Sequence, residues 1–502
     1  MDFIKNFPFF SIMLCMFSAS LSSMLGKRAA KYLVRTVMTI IVGLSAVLLW
    51  YTMNTGESFV YLMGHFPAPW GNEIRGGCLE ALFALFVSLI ALMSVLGGAK
   101  AIESDIENKK QNLFYILTCL MTSSLLAMCY TNDLFTGYVF IEINTIAGCG
   151  LIMVRQIGKS IVTAIRYMVI SLLGSGLFLI GVTLLYTVTG HLLMSNIRET
   201  IGVMNADGAY TKQILVIVGL MTVGLGIKSG MYPFHLWIPD AYGQSNVASS
   251  MLLSSVVSKG YIFLLIKVYY RVIGFDVIVE SGVMNVAFIL GICGMIMGSV
   301  MAIREKSLRR MIAYSSVAQI GYIYMGIGMG TEAGMVAAVF HIFAHGLAKS
   351  LLFLSSSEFT EGSHTKTIED IRGMGKTKRF SAFTFSVAAF SIVGFPMLAG
   401  FISKLLLGSA ALETGGRQWA ALIALGISTV LNVLYFLRVV IVLYSERKEA
   451  ELLEDADIEA DKYRGGKLFL IASFVLMVLN FVLGLASAPI IDIITKGLEM
   501  FS

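Results

Sequence analysis

The stretch Gly226–Leu265, GIKSGMYPFHLWIPDAYGQSNVASSMLLSSVVSKGYIFLL, decides the fold class. It is apolar enough for a membrane interior, yet it carries Lys228, Pro233, His235, Pro239, Asp240 and Lys259. A lysine at mid-membrane costs roughly 2.5–3.5 kcal/mol on insertion scales, and intramembrane charges mark pathways rather than lipid-facing walls. A proline-broken helix at that depth is tolerated only where protein or water satisfies the freed backbone groups. The stretch therefore reads as an ion path inside a membrane protein.

The rest of the chain agrees. Of 502 residues, 57% are hydrophobic and 14% charged, and the mean hydropathy is +0.81; a soluble domain carries about 25% charged residues. Apolar runs of about 20 residues recur from end to end, each long enough to cross a ~30 Å hydrocarbon core. The fold class is an all-α polytopic membrane protein, since a β-barrel would show ~10-residue alternation instead. The six cysteines stand singly without a CxxC, and there is neither HExxH nor GxxxxGK[ST]. No metal, nucleotide or redox cofactor and no nucleic-acid partner is expected. The first run follows Lys5 without a small-residue cleavage site and reads as a retained helix.

Apolar runs and charged breaks divide the chain into fourteen spans. The first six lie near 7–26, 31–53, 76–99, 112–130, 133–154 and 163–188. The others lie near 213–230 with a broken continuation, 245–271, 283–303, 308–330, 333–356, 380–407, 418–444 and 466–488. With both termini outside, the inside loops hold 24 basic residues and the outside segments 8, as the positive-inside rule requires. Arg309 and Arg310 count here as inside anchors, and Lys267 and Arg271 as outside charges. Of 37 basic residues, five then remain within apolar runs: Lys228, Lys259, Lys349, Lys404 and Arg438.

Proline usage marks the same places. Pro233 follows Lys228, and Pro396 precedes Lys404 in GFPMLAGFISK. Two helix breaks paired with lysines, at comparable positions of two halves, point to paired repeats around a midplane path. The halves fall at 111–271 and 283–444, five spans each, so the second copy is inverted; a three-helix segment (1–110) precedes them and a terminal helix (466–495) follows.

Glu142, in DLFTGYVFIEINTIAG, is the clearest acidic partner for these lysines. His341, His345 and Lys349 recur every four residues and share one helix face; histidine titrates near neutral pH and can relay protons. His235, Asp240 and Glu80 are further pathway candidates, the first two equally readable as caps on exposed backbone. His65 and His191 read as solvated loop residues. The acidic run EAELLEDADIEAD (449–461) reads as a solvated loop with a minor claim to a docking role.

These motifs resemble those of the proton-conducting membrane transporter family. KSGMYPFHLWIPDAYGQSNVASSMLLSSVVSKGYIFLL is similar to its signature, and LRRMIAYSSVAQIGYI, FHIFAHGLAKSLLFL and FSIVGFPMLAGFISK to its later segments, in order, across about residues 75–445. The family comprises antiporter-like subunits of respiratory complex I, A- and D-type subunits of multisubunit Mrp Na+/H+ antiporters, and subunits of group 4 membrane-bound hydrogenases and formate hydrogenlyases. The resemblance implies fourteen helices, inverted five-helix repeats and discontinuous seventh and twelfth helices. It implies proton-path roles for Glu142, Lys228, Lys259, His341, His345 and Lys404. Lys404 stands where one complex I subunit type has a glutamate, and Glu80 where the D-type pattern has an aspartate. The implied partners are other membrane subunits, with peripheral redox subunits supplying any electron chemistry, in the plasma membrane of a prokaryote. The competing reading is a stand-alone secondary transporter of a small solute.

Overall fold

The computed structural model describes residues 2–66, 71–206, 210–360, 367–446 and 465–501; the acidic run 449–461 lies outside them. Twelve described helices are long and apolar enough to cross a membrane. Two further predicted spans take other forms. Residues 308–330 form the buried helix Leu308–Gly328, and residues 380–407 form the shorter pair Arg379–Val393 and Ala399–Leu412. The protein is a multi-pass helical membrane protein.

Both proline sites break their helices, and by the same backbone device. Helix Thr211–Ser229 ends at Gly230, in the left-handed region at φ +80°, and Met231 N–H reaches back five residues to Gly226 O (2.9 Å). Helix Arg379–Val393 ends at Gly394, at φ +96°, and Phe395 N–H reaches back to Phe390 O (2.9 Å). Glycine makes this closure free of a Cβ penalty, and the reach-back bond satisfies carbonyls that a helix end leaves open. The following Pro233 and Pro396 have no N–H with which to resume the ladder at once. Each chain then continues, through Trp237–Gln244 and Ala399–Leu412 respectively.

Two helices form the centre. Val247–Ile273 and Glu332–Thr360 are buried along the whole of their most apolar windows, whereas peripheral spans such as Gly158–Thr189 and Gln418–Tyr444 bury one face only. Lipid or neighbouring protein must cover the rest, including Phe395, Met397 and Ile427. The predicted 466–495 helix divides into Lys467–Leu485 and Ser487–Glu499, since Ala486 leaves helical geometry (ψ 49°) and Pro489 removes a donor. The second piece packs on helix Cys78–Gly97. The loop after the second span holds an antiparallel hairpin, Phe59–Leu62 with Glu73–Gly76. Arg75 binds Met500 O (2.9 Å) and Phe9 stacks on Tyr61, so both chain ends lie at this end of the bundle.

Helices Val283–Arg304 and Leu308–Gly328 pack through small residues, as membrane helices do in the absence of a hydrophobic drive. A Cβ at Gly291 would stand 2.4 Å from Met325 N and 2.9 Å from Gly321 O. Gly291→Val is therefore expected to cost about 1–3 kcal/mol by overpacking. Thermal unfolding of the purified variant checks this, and an unchanged midpoint contradicts the close approach.

Candidate functional site

Lys228 closes helix Thr211–Ser229, one residue before its end, where terminal carbonyls favour a cation. It is 1% exposed. Its Nζ donates to Thr145 Oγ1 (2.5 Å), three residues beyond Glu142 on helix Leu134–Met153, and lies 5.6 Å from the Tyr261 ring centroid. Glu142 is within electrostatic reach of Lys228 but forms no direct ion pair with it. Glu142 is half-buried, and its Oε1 is buried without a hydrogen-bond partner. Around the pair, Tyr261 OH donates to Asn144 Oδ1 and Asn144 Nδ2 to Ser124 Oγ, both at 2.9 Å.

Lys259 is fully buried on the central helix. Five residues earlier that helix widens into a π turn, Leu253–Val257, and the Ser254 carbonyl accepts the Lys259 ammonium. Such turns free a carbonyl from the i→i+4 ladder and recur at functional sites. Lys259 reaches His345, His341 and Lys349 electrostatically from across the helix interface. His341 and His345 stack (5.9 Å, 20°), and His341 Nδ1 pairs with Ser403 Oγ (2.5 Å). Both His345 nitrogens and His341 Nε2 are buried without partners. Lys349, one turn further on, is bound to Ile312 O (2.7 Å) and to Ser315 Oγ.

Between these histidines and Lys404 lies a cavity of about 10 Å³, lined also by Gln319 and Ser391. That is the size of one water, and Gln319 Nε2 and the histidine nitrogens give such a water polar partners. Lys404 Nζ donates to Val393 O (2.7 Å), the last residue before the second break, and to Thr429 Oγ1 (3.1 Å). Its stem passes 3.0 Å from where a Cβ on Gly394 would stand. Like Glu142, Lys404 is half-buried. Two polar groups thus stand in the bundle, Glu142 with Lys228 and Lys259 with His345, His341 and Lys404, buried except at Glu142 and Lys404, which are half-buried.

The other candidates sit elsewhere. His235 is buried and stacks on Tyr232 at 5.3 Å, with Nδ1 unpartnered. Asp240 pairs with Arg310 and, at 3.4 Å, with Arg166, at the bundle end opposite the termini. Glu305 joins this cluster through Arg310 (3.0 Å). Burial acts to raise the Glu305 carboxyl, but the Ser307 N–H and Arg310 outweigh it and hold the group below its usual range. Glu80 is bound by Arg271 (2.6 Å; side chains 0% and 2% exposed). His191 is exposed, and Arg438 binds Ile303 O (3.1 Å).

Three basic residues assigned to loops from the sequence are instead inside the protein. Lys267 and Arg271 continue the central helix and are 0% and 3% exposed, and Arg309 is 1% exposed, bound to Ser245 O and to Ser250 Oγ at 3.0 Å. The Val247–Ile273 helix has the length of its predicted span, 245–271, displaced by two residues, and its end is covered by Phe501. Among the described residues no group of three or more His, Cys, Asp or Glu could hold a metal, and no cysteine is paired.

Residues 131–432, more than half of the chain, match the family described as NADH:quinone oxidoreductase/Mrp antiporter, TM. The chain is 32% identical to the NADH-quinone oxidoreductase subunit N of Desulforudis audaxviator, over 79% of this chain and 77% of the relative. It is 24% identical to the D-type subunit of the Na(+)/H(+) antiporter of Alkalihalophilus pseudofirmus, over 90% of this chain and 88% of the relative. A chain of the membrane-bound sulfane sulfur reductase, an archaeal respiratory membrane complex, superimposes with a TM-score of 0.88 at 23% identity, covering 100% of this chain and 98% of that one. Glu142, Lys228, Lys259, His341, His345 and Lys404 all fall within the matched region, and the chain belongs to the NADH:quinone oxidoreductase/Mrp antiporter transmembrane family.

Proposed function

We propose that this chain is the ion-translocating subunit of a multisubunit membrane assembly and moves protons along the line from Glu142 to Lys404. The observation that carries the reading is three lysines inside the bundle, Lys228 and Lys259 buried and Lys404 half-buried, none held by a carboxylate within ion-pair distance. An ammonium held by neutral oxygens can lose its proton without leaving a bare counter-charge, which suits a relay better than a structural ion pair. Glu142 keeps Lys228 charged by attraction; an incoming charge or a partner's movement weakens that hold, and the proton passes to Lys259. His345 and His341 carry it on, and Lys404 gates the exit. Lys349, facing the same core, adjusts the charge seen by Lys259. Asp240 and Glu80, each engaged by arginine, anchor structure at the two ends, while buried His235 borders the first break.

The half-buried ends favour a subunit over a stand-alone transporter, since Glu142 and Lys404 on the flanks suit contact with neighbours that continue the line. The named relatives, an NADH-quinone oxidoreductase subunit and a Na(+)/H(+) antiporter subunit, support H+ transport, with or without Na+ exchange, in the cytoplasmic membrane of a prokaryote. Both termini then face outward, because the basic loops lie at the other end. No cofactor belongs to this chain, and electron chemistry falls to partner subunits.

Lys259→Met tests the reading. Loss of the central group should slow proton flux in vesicles carrying the intact assembly by at least about tenfold, equivalent to a barrier rise of about 1.4 kcal/mol. Wild-type flux in the assembled variant overturns the proposed line.

A further inference from the structure

At the bundle end that carries both termini, a second group of charges lies apart from the line. A cavity of about 260 Å³ is walled by Arg75, Arg198 and Arg271, with Asn132, Ser195, Glu199 and Phe501 completing it. Arg271 is 3% exposed; one nitrogen meets Glu80 and its guanidinium carbon stands 4.1 Å from the Phe501 ring centroid. Its Nε and Nη1 are buried with no hydrogen-bond acceptor, and so is the Asn132 Oδ1 acceptor. Arg75 spends Nη2 on Met500 O and Ser58 Oγ, and Arg198 spends Nη1 on Ile273 O at 3.4 Å. Behind the wall, Lys267 donates only to the carbonyls of Cys129 and Thr131.

The charge balance here is lopsided. Three guanidinium groups line the cavity against one carboxylate, Glu199, which is exposed. Glu80 lies behind Arg271, and Glu73 is turned to Asn132 Nδ2 (2.6 Å). A ring of this sign repels cations and is unsuited to a proton exit. Buried guanidinium N–H groups left unpaired cost more than ordinary orphan donors, and the planar fork of arginine matches tetrahedral oxyanions through charge-assisted pairs. We propose that this cavity binds a phosphate group through Arg75, Arg198 and Arg271, either as free phosphate or as the headgroup of an anionic phospholipid.

The test uses the intact chain, purified and delipidated in detergent, titrated with inorganic phosphate and followed by phosphorus NMR. In parallel, the chain is placed in nanodiscs of phosphatidylcholine with or without phosphatidylglycerol, and retained lipid is counted by native mass spectrometry. Saturable phosphate binding, weakened about tenfold by Arg198→Gln and by Arg75→Gln and unchanged by the exposed Lys212→Gln, supports a site for the soluble anion. Selective retention of phosphatidylglycerol, lost in the same two variants while phosphate alone does not bind, supports the lipid headgroup. Both arginines are only half-buried, and an unchanged unfolding midpoint without ligand shows that each variant has folded. Absence of both ligands from the native chain, or binding indifferent to both substitutions, overturns the proposal.

Discussion

Lys228→Ala is expected to bring ion translocation to background while the assembly still forms. In the proposed relay Lys228 joins the Glu142 flank to the core: its Nζ sits on Thr145 Oγ1, one turn from Glu142, and Lys259 on the central helix takes up the proton. Alanine removes the amine that takes and releases the proton in the proposed relay, while the Gly230 closure that shapes the break needs nothing from the lysine side chain. Glu142→Ala should also silence transport, by removing the attraction that keeps Lys228 charged. Lys228→Arg separates charge from chemistry. Arginine preserves the positive charge but does not deprotonate in proteins, so it too should fail if Lys228 must release a proton. Fluorescence quenching of a pH-sensitive dye in inverted vesicles measures the flux, and a native gel confirms assembly. Normal pumping by Lys228→Ala, or by Lys228→Arg, would sink the relay.

Glu80→Ala should produce the largest loss of stability, about 3–5 kcal/mol, because it leaves Arg271 charged, buried and without its carboxylate. Glu80 Oε2 also accepts from Gly77 N–H at the start of helix Cys78–Gly97 (3.1 Å), so the cut loosens a helix end as well. Removing both charges in Glu80→Met/Arg271→Met should recover much of the loss, since apolar groups replace a buried pair at little cost, whereas breaking one is strongly destabilising. Chemical unfolding in detergent, analysed as a double-mutant cycle, measures the coupling. A loss below about 1 kcal/mol in Glu80→Ala alone would mean that water reaches the pair.

Burial separates what the sequence makes legible from what it hides. Lys228, Lys259, Lys349 and Lys404 are legible because each stands inside an apolar run, where one charge is conspicuous. Pro233 and Pro396 locate both breaks, although the shared Gly230 and Gly394 closure depends on backbone angles that composition does not express. Lys267, Arg271 and Arg309 mislead for one reason: they lie where apolar runs fade, and there a chain end or a neighbouring helix, not the local sequence, decides exposure. Arg271 is covered by Phe501, more than two hundred positions away, and Lys267 is bound by the carbonyls of Cys129 and Thr131, 138 and 136 positions away. Glu142 lies within electrostatic reach of Lys228, but Thr145, an inconspicuous threonine one turn along, is what the lysine touches.

The interruptions in the helices have one more consequence. Lys404 is held by the carbonyl of Val393 and Lys259 by that of Ser254, each an oxygen released by a fault in helical regularity. The dipoles of the main chain then solvate each ammonium in place of a counter-ion, and no exchange of one side chain for another deletes a carbonyl. A carbonyl does not titrate in the physiological range, so it cannot trap the travelling proton as an aspartate in the same position could. Selection on side chains can alter how readily each lysine gives up its proton, but the docking points stay where the backbone defects put them. In the proposed relay the geometry of the path is inherited through the fold, and the side chains only set its threshold.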